Sequence, residues 1–273
     1  MRGEASFTSS AREPIDATVT ALTQQLSSGG RMLLALDRDG TLIPIAERPE
    51  EAIADDEIRA LLASLCQASR LTVAIVSARS KAQLMADFPG LDLIYAGNYG
   101  MEMDFPGRPQ LTQKEAMQAV PRLKLVRDEL ASLTAPGIGA ILEDHGLSIC
   151  LHWHSVPADS RALVHDRLTA LIAEHKDLTF KSLSTSYEVL PAFEWDKGKA
   201  LGQIAETLAT KFSSFAFFGD SAADEPAFKW VNDRQGVSVK IGSGGVSTSS
   251  NLQLPDTRAV RSTLARLAQI ASQ

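Results

Sequence analysis

Basic residues are in deficit in this chain: 27 Lys and Arg face 33 Asp and Glu, for a formal net charge of −6 over 273 residues. A generic nucleic-acid binder needs a basic face to release counterions from phosphates, so that class is excluded. One phosphorylated small molecule is not excluded, because a few local cations can hold a single phosphate. Cysteine is nearly absent. Cys66 and Cys150 lie far apart and form no CxxC pattern. That argues against a disulfide framework and a zinc knuckle, and two buried reduced thiols fit a cytoplasmic protein. No apolar run approaches the roughly 20 residues of a membrane span, so no membrane partner is expected. The opening MRGEASFTSSAREPID is polar, with acids among its bases, and reads as neither a secretory leader nor a transit peptide. Tryptophan is scarce, and Trp153, Trp195 and Trp230 do not build a stacking platform with basic neighbours for single strands.

What remains is an ordinary globular composition, 44% hydrophobic and 22% charged, at a length that suits one large domain or two unequal ones. After a first helix, DATVTALTQQL, comes RMLLALD, a short apolar run bounded by glycines and acids. That is the pattern of a parallel strand buried on both faces. LTVAIVS (71–77) and LDLIYAG (91–97) repeat it, separated by the helical stretches DDEIRALLASLCQAS and KAQLMADF. Strands alternating with helices predict a parallel sheet with crossover helices. The pattern changes after about residue 104. KEAMQAVPRLKLVRDELASL reads as a helix interrupted or started by Pro121, and GAILEDHGLSICLHWHSV as a hairpin turning near Asp144-His145-Gly146. An amphipathic helix, SRALVHDRLTALIAEH, and a strand pair, LTFKSLSTSYEVLP, follow. After Pro191 the first pattern returns through KGKALGQIAETLAT, SFAFFGD (214–220), AADEPAFKWVND, VSVKIG (237–242) and TRAVRSTLARLAQIAS, with SGGVSTSSN (243–251) as a polar loop. The chain therefore reads as an α/β core, residues 1–104 and 191–273, with a smaller α+β unit, residues 105–190, inserted in it.

In open α/β sheets ligands bind outside the carboxyl ends of the strands. The first strand ends in Asp37-Arg38-Asp39-Gly40-Thr41-Leu42. Two carboxylates at i and i+2 are costly there unless they hold a cation or do chemistry; an Asx turn accounts for only one of them. The second strand ends in Ser77-Ala78-Arg79, whose hydroxyl can donate to a phosphate oxygen or cap the next helix. Lys197 opens a helix, and an ammonium at a helix N-terminus is unfavourable unless an anion is near. Asp220 and Asp224, in GDSAADE, can complete a Mg²⁺ site with Asp37; an N-capped helix with an acidic first turn also fits. His152 and His154 share a strand face, and with no third ligand visible they read as solvated or hydrogen-bonded histidines. Gly242-Ser243-Gly244-Gly245 lacks both GxGxxG and GKS and reads as a loop.

The order DxDGT, Ser, Lys, GDxxxDE resembles the haloacid dehalogenase superfamily of phosphohydrolases, and the inserted unit matches its C2 cap class. LALDRDGTLIPI, VAIVSARS, YAGNYGMEM, LEDHGLSICLHWH, YEVLP, DKGKAL, FFGDSAADEPAF and GVSVKIG are similar, in order and spacing, to segments of trehalose-6-phosphate phosphatases across about residues 31–262. The resemblance implies a Rossmann-like core with a C2-type α+β cap and Mg²⁺-dependent hydrolysis of a small sugar phosphate, foremost trehalose 6-phosphate. It implies Asp37 as nucleophile, through an aspartyl-phosphate, and Asp39 as general acid and base. Ser77 and Lys197 would hold the phosphoryl oxygens. Mg²⁺ would sit on Asp37, the Asp39 carbonyl and Asp220, with Asp224 at one remove. Thr41, Arg79 and Asn98 join the substrate-side candidates in the core. In the cap, which should close over the sugar, Glu143 and Glu188 would accept from sugar hydroxyls, and His145 would act as a neutral donor or acceptor. Departures touch the cap most: His145 stands where the family has Lys, and an Arg is expected near His154. In the core, Ala78, Tyr99, Ser221 and Ala223 replace Gly, His, Asp and Thr. Phosphates of sucrose, glucosylglycerate or a hexose therefore stand as alternative substrates. A non-catalytic sensor is the reading from another class, disfavoured because Asp37 and Asp39 are both kept.

Overall fold

The computed structural model describes residues 9–27, 29–46, 48–242, 244 and 247–272. The chain divides into two compact units, Met1–Gln110 with Trp195–Gln273, and Leu111–Glu194. These boundaries fall a few residues later than those read from the sequence pattern.

In the larger unit the strands pair in the order Leu252–Leu254, Val237–Ile241, Phe212–Gly219, Arg31–Leu36, Leu71–Val76, Ile94–Gly97 and Glu102–Asp104. All pairings are parallel except the last, which is antiparallel. The chain moves outward in one direction from Arg31–Leu36 and in the other from Phe212–Gly219. The strand order reverses between these two neighbours, and a crevice opens at their carboxyl ends. Both central strands are apolar on both faces because helices cover both. Leu34, Leu36 and Phe218 belong to a core shared with helices Ser9–Ser27, Asp56–Gln67 and Thr257–Ala271, through Leu22, Leu62 and Leu264. Phe217 points the other way and meets Phe228 of helix Glu225–Asn232 edge-on, with centroids 5.7 Å apart.

The smaller unit is a four-stranded antiparallel sheet in the order Ile141–Asp144, Ile149–His152, Ser186–Pro191, Leu178–Ser182. Helices Lys114–Leu130 and Arg161–Ala173 bury Leu123, Val126, Leu130, Val164 and Leu168 against Ile149, Leu151 and Val189. Period-2 alternation sends Cys150, His152 and Glu188 to the opposite face.

Several boundaries differ from expectation. Pro121 neither starts nor breaks its helix, which runs from Lys114 to Leu130 around it. The first helix extends over Ser9–Ser27, the strand near residue 91 begins only at Ile94, and the short strands Glu102–Asp104 and Leu252–Leu254 are additional. Both cysteines are free, but only Cys150 is buried; Cys66 is half-buried. The predicted loop at 243–251 and the Gly242–Gly245 run fall partly outside the described residues, as does the N-terminal stretch 1–8. Among the described residues, no helix is long and apolar enough to cross a membrane.

Candidate active site

Two adjacent strand ends build the centre of the site. Leu36 pairs with Phe218, and the Asp37 N–H donates to the Phe218 carbonyl at 2.9 Å, so Asp37 and the Gly219-Asp220 corner leave the sheet side by side. The chain then reverses at Gly40, whose φ of +73° suits glycine and where a Cβ would collide with the Asp220 carboxylate. That close approach is what the glycine permits. Carboxylate oxygens of Asp37, Asp220 and Asp224 all lie within 4.8 Å of one another.

Lys197, the first residue of helix Lys197–Leu208, is 2% exposed and reaches into this group. Its Nζ lies 2.8 Å from Asp37 Oδ1 and 2.7 Å from Asp224 Oδ1. The other oxygen of Asp224 accepts from the Ser221 N–H at 2.8 Å and from its hydroxyl at 2.9 Å, which pins the loop. Lys240 Nζ donates to the Asp220 carbonyl. Burial pushes the Asp37 carboxyl well above the usual range; Lys197 pulls it back, while Asp224 and Asp220 add to the rise. Asp220 is pushed up to about 6, by burial first and then by Asp224. Lys197 moves upward despite burial, because Asp224 and Asp37 hold its charge.

Asp39 lies beside this cluster, clasped by two guanidinium groups. Arg38 Nη1 donates to its Oδ1 at 2.5 Å, and Arg79 Nε to its Oδ2 at 3.1 Å. Arg79 also bonds the Pro49 carbonyl, so the structure casts it as a clamp on Asp39. Arg38, itself 2% exposed, is anchored by Asp87 and the Ala52 carbonyl. Its role was missed in the sequence, where the x of DxD reads as a spacer. Ser77 follows strand Leu71–Val76, neighbour to Arg31–Leu36, and its Oγ accepts from the Arg79 N–H at 3.2 Å, leaving its own proton to give. Thr41 is fully buried in the turn, and its Oγ1 makes no hydrogen bond among the described residues. Asn98 is buried at φ +50°, and its amide donates to Glu102 at 2.7 Å. The structure thus ties Asn98 to the Glu102 strand.

The smaller unit holds a second polar cluster. His145 lies between two acids, its Nε2 3.9 Å from Glu143 Oε2 and its Nδ1 3.8 Å from Glu188 Oε1. His152 Nε2 meets Glu143 Oε2 at 2.7 Å. Burial alone would lower the His145 pKa, but Glu143 and Glu188 outweigh it and raise it to about 9. That rise favours the charged form of the ring over the neutral donor or acceptor expected from the sequence. Cys150 is held up by burial and by Glu188.

A parallel sheet with an acid-bearing strand end at its switch point, a second acidic corner beside it and a buried lysine share their fold with a haloacid dehalogenase-like hydrolase. A solved hydrolase of that description from Bacteroides thetaiotaomicron shares the fold at TM-score 0.60, with 15% identity over 87% of this chain and 99% of that one. A family model described as trehalose-phosphatase matches residues 35–258, and the chain belongs to that family. Probable trehalose-phosphate phosphatase 4 of Oryza sativa subsp. japonica is 30% identical over 252 residues, covering 89% of this chain and 67% of that protein. The C-terminal domain of C. albicans trehalose-6-phosphate phosphatase superposes at TM-score 0.78, with 20% identity over 92% of this chain and 96% of that one.

Proposed function

We propose that this chain hydrolyses trehalose 6-phosphate to trehalose and phosphate through an aspartyl-phosphate on Asp37. The observation that carries the reading is the buried meeting of Asp37, Asp220 and Asp224 with Lys197, in a chain of the trehalose-phosphatase family. In the first step an Asp37 carboxylate oxygen attacks phosphorus, the bond from phosphorus to the sugar oxygen breaks, and Asp39 gives the leaving oxygen its proton. In the second, Asp39 takes a proton from water, the water oxygen attacks phosphorus, and Asp37 leaves as a carboxylate. The Arg38 and Arg79 clasp fixes where Asp39 delivers and collects that proton. Ser77 and Lys197 donate to the phosphoryl oxygens on which charge accumulates.

Three carboxylates against one buried ammonium leave net negative charge, and every donor is a hard oxygen, so the donor set fits Mg²⁺. Asp37 and Asp220 would hold the ion, with the Asp39 carbonyl and Asp224 supporting. Once bound, Mg²⁺ offsets the repulsion between carboxylate and phosphate. In the smaller unit, Glu143, His145 and Glu188 carry the contacts to sugar hydroxyls.

The test is a panel of sugar phosphates assayed with Mg²⁺, compared by kcat/KM, because discrimination is a ratio of those values. Trehalose 6-phosphate should lead, and Asp37→Asn should abolish hydrolysis of every member and of an aryl phosphate. Lack of preference for it would remove the named substrate. Activity surviving in Asp37→Asn would remove the mechanism.

A further inference from the structure

The segment between strands Leu71–Val76 and Ile94–Gly97 does more than carry Ser77. It also supplies Arg79 and Asp87, the last residue of helix Lys81–Asp87. An acid there is mildly unfavourable, because the C-terminal end of a helix is already negative. Its partner resolves the conflict: Arg38 Nε donates to Asp87 Oδ2 at 2.7 Å. Arg38 gives its other two nitrogens to Asp39 Oδ1, at 2.5 Å, and to the Ala52 carbonyl. A guanidinium is planar and rigid, so three bonds in three directions fix both its place and its plane. Asp87 is pinned in turn from behind. Arg59 Nε, on helix Asp56–Gln67, donates to the Asp87 carbonyl at 2.8 Å.

This chain of contacts ends on a side chain that needs restraint. Asp39 is 32% exposed, so the protein around it does not by itself confine its carboxylate to one rotamer. A group that gives a proton in one step and collects one in the next must present its oxygens at the same point both times. We propose that Asp87 is a positioning residue for Asp39, acting through Arg38 rather than on the substrate. The proposal rests on the reading of Asp39 as general acid and base. Asp87 sets the plane of the Arg38 guanidinium, and that plane sets where the Asp39 carboxylate stands.

The test compares Asp87→Ala with the unmodified chain, both with Mg²⁺, on trehalose 6-phosphate and on para-nitrophenyl phosphate. For the sugar phosphate, kcat should fall by about tenfold or more while KM moves by less than about twofold. Nitrophenolate leaves without needing a proton, so only the second step should suffer with the aryl substrate. Asp87→Ala should then release a burst approaching one nitrophenolate per chain, followed by turnover slower than that of the unmodified chain. A loosened fold would slow both steps and show no such burst. Arg38→Met supplies the second measurement: in that background Asp87→Ala should cost no further kcat, because the route to Asp39 is already cut. Circular dichroism checks that each variant is folded. An unmoved kcat in Asp87→Ala, absence of the burst, or losses that add in the double variant would each overturn the role of Asp87. Asp37→Asn and Asp39→Asn separate this failure from that of the proposed function. If either stays fully active, the mechanism falls and Asp87 with it; if both are impaired while Asp87→Ala is not, Asp87 alone is removed.

Discussion

At the scale of single residues, the most informative group is Lys197. As the first residue of a helix it looks misplaced, since the helix N-terminus is already positive. Its neighbours resolve the conflict: two carboxylate oxygens lie within 2.8 Å of its Nζ. Taking one partner from a buried ion pair leaves uncompensated charge, which typically costs about 3–5 kcal/mol. Lys197→Met keeps the apolar stem and removes the charge. Urea unfolding without Mg²⁺ should show a loss of that order, and added Mg²⁺ should recover part of it by neutralising Asp37 and Asp224. A loss below about 1 kcal/mol, small beside the typical cost of such a break, would mean that Asp37 simply takes up a proton, and the charge balance drawn for the site would be wrong.

At the scale of elements, local rules and tertiary contacts cooperate visibly at helix Asp56–Gln67. Asp55 caps it by accepting from the Ile58 N–H at 2.9 Å, and also takes an ion pair at 2.7 Å from Arg261, on helix Thr257–Ala271. Burial tends to raise the Asp55 carboxyl, but the Ile58 N–H and Arg261 prevail and hold it below its usual value. A carboxylate depressed in the folded state stabilises above its unfolded pKa, about 3.9, and that contribution is lost as pH falls through the folded value. Asp55→Ala should therefore lose about 1 kcal/mol at pH 7, nearly all of it from the cap, because the exposed ion pair adds little. The gap from the unmodified chain should close below about pH 4, in the window set by that unfolded value; a constant gap across that range would mean that charge plays no part. The same cooperation explains what could be read from sequence. Buried parallel strands announce themselves as apolar runs, and acids at their ends announce the site. Glu102–Asp104 and Leu252–Leu254 carry no such signal: each is three residues long, too short for any period to show. Pro121 misled because a proline inside a helix usually breaks it. The Arg38 and Arg79 clasp on Asp39, and the meeting of Cys150 with Glu143, depend on contacts between separate strands and turns. Only strand register reveals them.

At the scale of the molecule, chemistry and recognition fall to different units in the proposed function. Every group assigned to phosphoryl transfer stands at a strand or helix end of the larger unit, while Glu143, His145 and Glu188 belong to the smaller one. Substitutions should then divide by kinetic signature. Glu188→Gln preserves volume, and the residue lies buried in a strand paired on both sides. It replaces a charged acceptor by a neutral one. If Glu188 reads sugar hydroxyls, KM for trehalose 6-phosphate should rise by about tenfold, the worth of one charged hydrogen bond, with a smaller change in kcat. Hydrolysis of an aryl phosphate, which has no sugar to read, should be unaffected. Equal losses on both substrates would mean that Glu188 holds the fold together and recognises nothing. An unchanged KM for every sugar phosphate would move specificity out of the smaller unit altogether.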